Sequence, residues 1–164
     1  MNKERQVHEF GPCYDPESNI LILGSFPSVK SREEGFYYGH PMNRFWRLLA
    51  LLYGEETPDG IPQKKAFLKR YQIALWDVIE SCEIAGSSDS SIGDVVVNDV
   101  GKILKEAGIK AVYANGKKAE SLYRKYLEPA TGIKAVGLPS TSPANAAFSL
   151  ERLKEAWRRI LNCS

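Results

Sequence analysis

Four short apolar segments alternate with stretches of helical periodicity, and this alternation constrains the fold more than any other feature of the chain. The segments cover residues 19–24, 73–78, 110–114 and 133–137, and each has the length and composition of a buried strand. Strands separated by helices pair in parallel within one sheet. The sequence therefore predicts an α/β fold: a single domain over residues 1–164, with α/β/α layers around a central, mostly parallel four-stranded sheet.

Five helices are predicted between and after these strands, and several of them carry recognisable end signals. Gly54 is positioned to stop the first helix, Asn98 to cap the third, and Ser149 to cap the last. The predicted helices cover residues 43–53, 63–71, 99–107, 117–127 and 149–160.

Three long connections each follow a predicted strand. They cover residues 25–42, 79–93 and 138–147, and loops of this length in a compact domain are usually functional. Ligands of parallel sheets bind beyond the carboxyl ends of the strands. We therefore expect the three loops to meet at one edge of the sheet and to form one site.

The net charge and the number of possible metal-ligating residues limit the classes of function that the chain can have. The net charge of +2 is compatible with a nucleic-acid partner but does not require one. Three cysteines, at positions 13, 82 and 163, cannot supply the four ligands of an iron–sulfur cluster, and the two histidines lack the spacing of a zinc site. We expect no metal, no iron–sulfur cluster and no other cofactor.

The sequence shows no targeting or membrane-spanning segment. No apolar stretch follows the charged start of the chain, as a secretory signal would require, and no run approaches the length of a membrane span. We expect an intracellular, cytoplasmic protein without a membrane partner.

Two motifs follow the first and fourth predicted strands. The first is Gly24-Ser25-Phe26-Pro27-Ser28, continued by Gly35-Phe36-Tyr37-Tyr38-Gly39-His40-Pro41-Met42-Asn43-Arg44-Phe45-Trp46, and the second is Leu138-Pro139-Ser140-Thr141-Ser142-Pro143-Ala144-Asn145. Together they resemble the active-site motifs of the uracil-DNA glycosylase superfamily. The two motifs are most similar to those of the hypoxanthine-DNA glycosylase family, and the stretch H-P-x-N-R-F-W also resembles the mismatch-specific uracil/thymine glycosylases. The resemblance covers nearly the whole chain.

This resemblance implies a monofunctional DNA glycosylase of base-excision repair. Such an enzyme flips a deaminated base, with hypoxanthine preferred, out of damaged DNA and hydrolyses its N-glycosidic bond, leaving an abasic site. No lysine in the motifs is placed to form a Schiff base, so lyase activity is not expected. One site acting on one duplex suits a monomer.

The first motif departs from the superfamily pattern at its third position. Most members have Asp or Asn there to handle the attacking water, whereas this chain has Phe26, which cannot activate water. In the hypoxanthine glycosylases that it resembles, the catalytic amide belongs to an Asn at the position of Asn43. The resemblance therefore implies a catalytic role for Asn43; the alternative is that Asn43 only caps the helix that it opens.

The same resemblance suggests which residues bind the flipped base. Tyr38 stands where family members stack an aromatic ring on the extruded base, and Phe26 and Ser25 would line the pocket. Asp77, and after it Asp89, are candidates for reading the base edge. The alternative for Tyr38 is packing in the core. The alternative for each carboxylate is capping of a helix or pairing with an arginine.

Other residues of the motifs are candidates for contact with the duplex. Ser28 and His40 could reach phosphates, and the second motif resembles the loop that presses on DNA and fills the gap left by the flipped nucleotide. Its alternative role is an ordinary connection between a strand and a helix. The candidates in this loop are Pro139, Ser140, Ser142, Pro143, Ala144 and Asn145.

Three other functions are compatible with the sequence. Uracil or mismatched thymine could be the excised base within the same class. A non-catalytic DNA-damage-binding protein would follow if Phe26 abolishes catalysis. An enzyme acting on free nucleosides or nucleotides, with residues 24–28 as a phosphate loop, is disfavoured because the loop lacks the glycine spacing of known phosphate-binding motifs.

Overall fold

The computed structural model describes residues 3–162, so Cys163 lies outside the described part of the chain. The elements named here belong to that part. The strands are β1 (Glu4–Val7), β2 (Ile20–Gly24), β3 (Ile73–Asp77), β4 (Ile79–Ile84), β5 (Gly93–Val97), β6 (Ala111–Asn115) and β7 (Ala135–Leu138). The α-helices are α1 (Val29–Glu34), α2 (Phe45–Tyr53), α3 (Ile61–Arg70), α4 (Val100–Glu106), α5 (Lys117–Tyr126), α6 (Glu128–Thr131) and α7 (Leu150–Trp157). Short 3₁₀ turns occupy Asp89–Ser91 and Arg158–Asn162.

The central sheet contains four parallel strands in the order β3-β2-β6-β7. These strands correspond to the four apolar segments of the sequence, so the predicted parallel sheet is confirmed. The register places Gly24, the last residue of β2, opposite Asp77, the last residue of β3, and Leu138, the last residue of β7, opposite Asn115, the last residue of β6. Because the four strands are parallel, the first motif, which starts at Gly24, and the second, which starts at Leu138, begin at the same edge of the sheet.

Alternate residues of β2 enter two separate parts of the core, because side chains of a strand point to opposite faces of the sheet. Ile20 and Ile22 pack in a cluster with residues of α2, α3 and α7, including Trp157. Leu21 and Leu23 pack on the other face with residues of α4 and α5. This arrangement gives the predicted layers around the sheet.

A second, antiparallel sheet in the order β1-β4-β5 was not predicted. The prediction of a long polar loop over residues 79–93 was wrong for residues 79–84, which form β4. The strands of this sheet expose one face, so their sequences mix charged and apolar residues, and β1 pairs with a strand almost 80 positions away. No local pattern reveals such a pairing.

The first predicted loop, residues 25–42, also contains an element that the sequence analysis missed. Helix α1 is capped by Ser28, whose hydroxyl accepts a hydrogen bond from the backbone N–H of Ser31. Gly35 ends the helix in the left-handed conformation. With six residues, α1 is too short for helical periodicity to show in the sequence.

The predicted helix ends were correct in part. Gly54 ends α2 and Ser149 caps α7, as expected. The cap assigned to Asn98 was wrong, because the Asn98 amide instead donates hydrogen bonds to the carbonyls of Asp77 and Ile79. Asn98 thus ties the residue after β5 to the end of β3. None of the helices within residues 3–162 is long and apolar enough to cross a membrane.

Candidate active site

A polar cleft opens at the carboxyl ends of the parallel strands. Each of the three long loops contributes to it, as expected from the order of the motifs. The residues that line it are Gly24, Ser25, Phe26, Pro27, Ser28, Ser31, Tyr37, Tyr38, Asn43, Asp77, Asp89, Asn115, Ser140, Thr141 and Ser142. The predicted catalytic residue Asn43 and the five predicted base-binding residues all lie in this set.

Asp77 lies at the inner end of the cleft and is paired with a histidine that sequence reasoning did not select. His8 Nε2 lies 2.7 Å from Asp77 Oδ2, and both side chains are almost fully buried. His8 follows β1, which lies in the sheet that was not predicted. No sequence pattern links positions 8 and 77, so only the fold reveals this pair.

Gly24 allows the Asp77 carboxylate to approach strand β2. A Cβ atom at position 24 would collide with Asp77 Oδ1 and would lie 3.2 Å from the Tyr38 hydroxyl. Residue 24 must therefore be glycine for the carboxylate and the hydroxyl to converge here. The glycine at the start of the first motif is a packing requirement of the site.

Of the three adjacent aromatic residues in the first motif, Phe36 and Tyr37 are buried in the core. Tyr38 has a positive φ of 55° and lines the cleft. Its ring stacks on Phe45 with 4.0 Å between centroids, so a ligand could stack only on the opposite face of the ring. Its hydroxyl is buried and forms no hydrogen bond of ordinary geometry within residues 3–162.

The surroundings of Tyr38 keep its hydroxyl protonated. Burial raises the pKa of Tyr38 most, the negative charge of Asp77 raises it further, and an interaction with the Asn115 side chain opposes part of this shift. A protonated phenol can donate a hydrogen bond. The cleft therefore combines a buried donor, the Tyr38 hydroxyl, with a carboxylate acceptor at Asp77.

Asp89 lies in the 3₁₀ turn of the second long loop and accepts a hydrogen bond of 2.8 Å from the Ser25 hydroxyl. The residue as a whole remains exposed. Partial burial of its carboxyl group raises the pKa of Asp89, the Ser25 hydrogen bond opposes this shift, and the Asp77 charge adds to it. Two of the predicted base-binding residues, Ser25 and Asp89, are thus hydrogen-bonded to each other.

Asn43 lies near the end of the first motif, two residues before the start of α2. Its Oδ1 accepts a hydrogen bond of 2.9 Å from the backbone N–H of Phe45, so the side chain does support the start of the helix. The helix begins at Phe45 rather than at the predicted residue 43. Asn43 also lines the cleft, so capping and a role toward a ligand are compatible.

Arg44 holds the second motif against the first, a role that sequence reasoning missed. Its guanidinium group donates hydrogen bonds to the carbonyls of Phe148, Ser142 and Asn145, the last two at 2.9 and 3.0 Å. Its backbone N–H donates to the Thr141 carbonyl. Because Arg44 directly follows Asn43, one dipeptide both lines the cleft and fixes the opposite loop.

Asn115, at the end of β6, fixes the other side of the second motif. Its Oδ1 accepts a hydrogen bond from the Thr141 N–H, and its Nδ2 donates one to the Thr141 hydroxyl, each at 3.1 Å. Thr141 is fully buried. Together with Arg44, this pair makes residues 140–142 a rigid wall of the cleft.

The predicted DNA-contacting residues fall into two groups. Ser28, Ser140 and Ser142 line the cleft itself. The other five do not line the cleft, and three of them form hydrogen bonds within the protein. The His40 ring accepts one from the Met42 N–H, and the Pro139 carbonyl accepts one from Trp157. The Asn145 amide donates one to the Ser140 carbonyl. Pro143 and Ala144 are exposed at the tip of the loop.

Neither the cleft nor any other place within residues 3–162 gathers three or more histidine, cysteine or acidic side chains that could hold a metal ion. Cys13 and Cys82 are both free thiols. The polar side chains that line the cleft carry carboxylate, amide and hydroxyl groups.

Comparison with known proteins assigns this fold and cleft to a class. The sequence profile of the Uracil DNA glycosylase superfamily matches residues 12–161, and the chain belongs to that superfamily.

Two curated relatives are similar over almost their entire length, and both are named hypoxanthine DNA glycosylase. The protein from Methanosarcina acetivorans is 40% identical over 154 residues, covering 92% of this chain and 95% of its own. The protein from Methanosarcina barkeri is 39% identical over 151 residues, covering 90% of this chain and 93% of its own.

A solved structure gives the same assignment. The solution NMR structure of a Methanosarcina acetivorans protein, described as a candidate uracil DNA glycosylase, superposes with a TM-score of 0.77. The two sequences are 35% identical, and the match covers 93% of this chain and 96% of that one.

Proposed function

We propose that this protein is a DNA glycosylase that removes hypoxanthine from DNA by hydrolysing its N-glycosidic bond and leaves an abasic site. The observation that carries the proposal is the cleft, in which both motifs shared with the superfamily meet around a buried carboxylate and a buried phenol. Relatives named hypoxanthine DNA glycosylase, about 40% identical over nine-tenths of the chain, support the choice of base.

The donors and acceptors of the cleft suit a deaminated base. Deamination of adenine replaces a ring nitrogen acceptor by an N–H donor and an amino group by a carbonyl. Asp77 offers a carboxylate that can accept a hydrogen bond from this new N–H, whereas adenine would present a lone pair to it. A buried acceptor left unpaired in this way disfavours the wrong base.

The ring of the flipped base would lie against the face of the Tyr38 ring that is opposite Phe45. Phe26, which is 8% exposed, would form the adjoining wall, and Ser25 and Asp89 would lie at the rim. Stacking on an aromatic ring stabilises an extruded base without regard to its identity. Tyr38 would thus supply affinity, and Asp77 would supply selectivity.

Asn43 would position the attacking water. Bond cleavage in a glycoside passes through a sugar with oxocarbenium character, so a water held in place needs little further activation. With Oδ1 engaged by the Phe45 N–H, the Asn43 amide group is fixed in the cleft. Positioning of a reactant by a rigid group is a recognised source of rate enhancement.

Damaged DNA would lie across the mouth of the cleft. Ser28, Ser140 and Ser142 would donate hydrogen bonds to phosphates, with His40 and Pro139 beside them, and Asn145 would keep the loop in place. The exposed tip, Pro143 and Ala144, would enter the gap left by the flipped nucleotide. We propose that the protein acts inside the cell as a monomer, without a cofactor.

A panel of duplex oligonucleotides tests the proposed function. Each duplex carries one altered base, and alkali after incubation reveals abasic sites as strand breaks. We expect cleavage of the hypoxanthine duplex at the highest rate. Uracil and mismatched thymine share with hypoxanthine a ring N–H donor next to a carbonyl, so slower release of either is consistent with the pocket. Binding to hypoxanthine DNA without release of any base would instead establish a damage-binding protein.

A further inference from the structure

His8 reaches the active-site cleft from outside the part of the chain that matches the superfamily profile. The profile begins at residue 12, whereas His8 follows β1 in the antiparallel sheet. Its backbone N–H donates a hydrogen bond of 2.7 Å to the Glu80 carbonyl, which fixes the segment beside β4. The N-terminal segment therefore places one side chain against the inner end of the cleft.

The His8 ring is held in a mainly aromatic cage. Its centroid lies 4.5 Å from that of Phe10 and 6.0 Å from those of Phe26 and Tyr37. Its Nδ1 is buried and has no hydrogen-bond partner within residues 3–162. A proton on Nδ1 would be an unsatisfied buried donor, so the ring proton belongs on Nε2, which donates it to Asp77 Oδ2.

This hydrogen bond determines what Asp77 can do. With Oδ2 engaged by His8, Oδ1 is the oxygen on the side of Gly24 and the cleft. Tyr37, Tyr38 and Asp89 also interact electrostatically with Asp77. Loss of the His8 donor would leave Asp77 Oδ2 without a hydrogen bond from residues 3–162. A buried acceptor without a partner is costly and tends to turn away, which would remove the carboxyl group from the base edge.

We propose that His8 is a positioning residue for base recognition: its hydrogen bond to Oδ2 holds the Asp77 carboxyl group in place, so that Oδ1 can accept a hydrogen bond from the ring N–H that distinguishes a deaminated base from its parent. This inference rests on the proposed function, in which Asp77 reads the base edge. It adds that selectivity depends on the N-terminal strand as well as on the two motifs of the superfamily. His8 itself does not touch the base.

Substitutions at position 8 separate positioning from packing. His8→Leu preserves apolar bulk in the aromatic cage but removes the donor, and His8→Gln retains an N–H donor. Gln6→Ala, a neighbour on β1, is the matched control for disturbance of the N-terminal segment. Single-turnover release of hypoxanthine and of adenine is measured for each variant, alone and combined with Asp77→Asn, with melting temperature as the check on folding.

We expect His8→Leu to lower hypoxanthine release roughly 10- to 100-fold, the scale of one charge-assisted hydrogen bond, and to lower the ratio of hypoxanthine to adenine release. His8→Gln should keep most of the wild-type release rate and most of the wild-type ratio, and Gln6→Ala should match the wild type in both. In the Asp77→Asn background, His8→Leu should have no further effect, because the two residues act as one unit. Wild-type rates in His8→Leu, or an equal loss in both backgrounds, would overturn the inference.

A spectroscopic measurement keeps this test separate from the test of function. The chain has only two histidines, so ¹⁵N spectra of the imidazole rings are simple to assign with His8→Gln. We expect His8 to carry its proton on Nε2 and to change its signals on Asp77→Asn. If the wild type releases no base, the proposed function fails while this spectrum still tests the pair. Unchanged His8 signals in Asp77→Asn refute the positioning role.

Discussion

At the scale of single residues, Asn43 combines a structural and a proposed chemical role in one side chain. Its oxygen supports the start of α2 through the Phe45 N–H, and its amide group lies in the cleft. A simple truncation would remove both roles together. The two can be separated by a substitution that keeps an oxygen for the helix and removes the amide.

Asn43→Ser is such a substitution, because a serine hydroxyl can accept the hydrogen bond from the backbone N–H of residue 45. We expect Asn43→Ser to melt close to the wild type, while single-turnover base release falls by about 10²–10³-fold, as for loss of one positioned polar group. Asn43→Ala should show a similar fall in the rate of base release and should also lose about 1 kcal/mol of stability. If both variants keep the wild-type rate, Asn43 only caps the helix, and Asp77 and Asp89 become the next catalytic candidates.

Asp89 gives stability a defined dependence on pH. Its pKa is raised above the ordinary value of 3.8, chiefly by partial burial, so the folded state binds more protons than the unfolded state just above that value. The contribution of Asp89 to the free energy of unfolding therefore decreases as pH rises from 3.8 through the raised pKa.

We expect Asp89→Asn to remove this part of the pH dependence, as measured by chemical denaturation of both proteins across the acidic range. Asp59→Asn serves as the control, because Asp59 is an exposed carboxylate outside the cleft. This substitution should leave the pH dependence of stability unchanged. Parallel pH curves for Asp89→Asn and the wild type would contradict the assignment.

The sequence predicted most lining residues of the cleft because they lie in motifs or directly after apolar strands. Asp77 lies at the end of the second predicted strand, Asp89 lies in the loop after it, and Tyr38 lies in the aromatic stretch of the first motif. His8 was beyond prediction, since a lone histidine after a short, exposed strand carries no pattern. The role of Arg44 was missed for a related reason: its partners are backbone carbonyls, which any sequence provides.

At the scale of elements, a single guanidinium group is hydrogen-bonded to three carbonyls in the loop of residues 140–148. Arg44 donates to three carbonyls of this loop, and removing it leaves those acceptors partly buried and unpaired. We expect Arg44→Ala to lower the free energy of unfolding by on the order of 3 kcal/mol and to weaken DNA binding by disordering the loop.

Hydrogen exchange of the loop amides, together with duplex affinity, measures this effect. Arg47→Ala is the matched control, because Arg47 lies three residues further on, in α2, and is exposed. Its loss should change stability by less than about 0.5 kcal/mol. Unchanged protection of residues 140–148 in Arg44→Ala would show that the loop is held by other contacts, such as the Asn115–Thr141 pair.

Elements were predictable where burial leaves a pattern in the sequence. The strands β2, β3 and β6 are largely buried and β7 is half-buried. All four have short apolar sequences, so their positions were found to within a few residues. The antiparallel sheet was missed because β5 alternates between half-buried and exposed residues and β1 is almost entirely exposed. Helix α1 depends on the Ser28 cap and on the loop around it rather than on its own composition.

At the scale of the whole molecule, a net charge of +2 is small, so DNA binding requires basic groups near the cleft. Lys118, at the start of α5, interacts electrostatically with Asp89 at the rim. Binding to phosphates releases counterions, and the logarithm of the binding constant then falls linearly with the logarithm of salt concentration.

We expect affinity for duplex DNA to fall as salt rises and Lys118→Ala to reduce the slope by about one unit. Lys69→Ala is the control, because Lys69 lies near Ile73, at the opposite end of β3 from the cleft. An affinity that does not change with salt would be incompatible with a phosphate-binding surface around the cleft.

The most direct test of the central claim is to identify the products of a single turnover on a duplex containing one hypoxanthine. With enzyme in excess, the account predicts one equivalent of free hypoxanthine by mass spectrometry. It also predicts an uncleaved strand that breaks at the abasic site only after alkali, and no adenine from the matched adenine duplex. Absence of free hypoxanthine, or strand cleavage before alkali, would contradict assignment of this protein as a monofunctional glycosylase for deaminated bases.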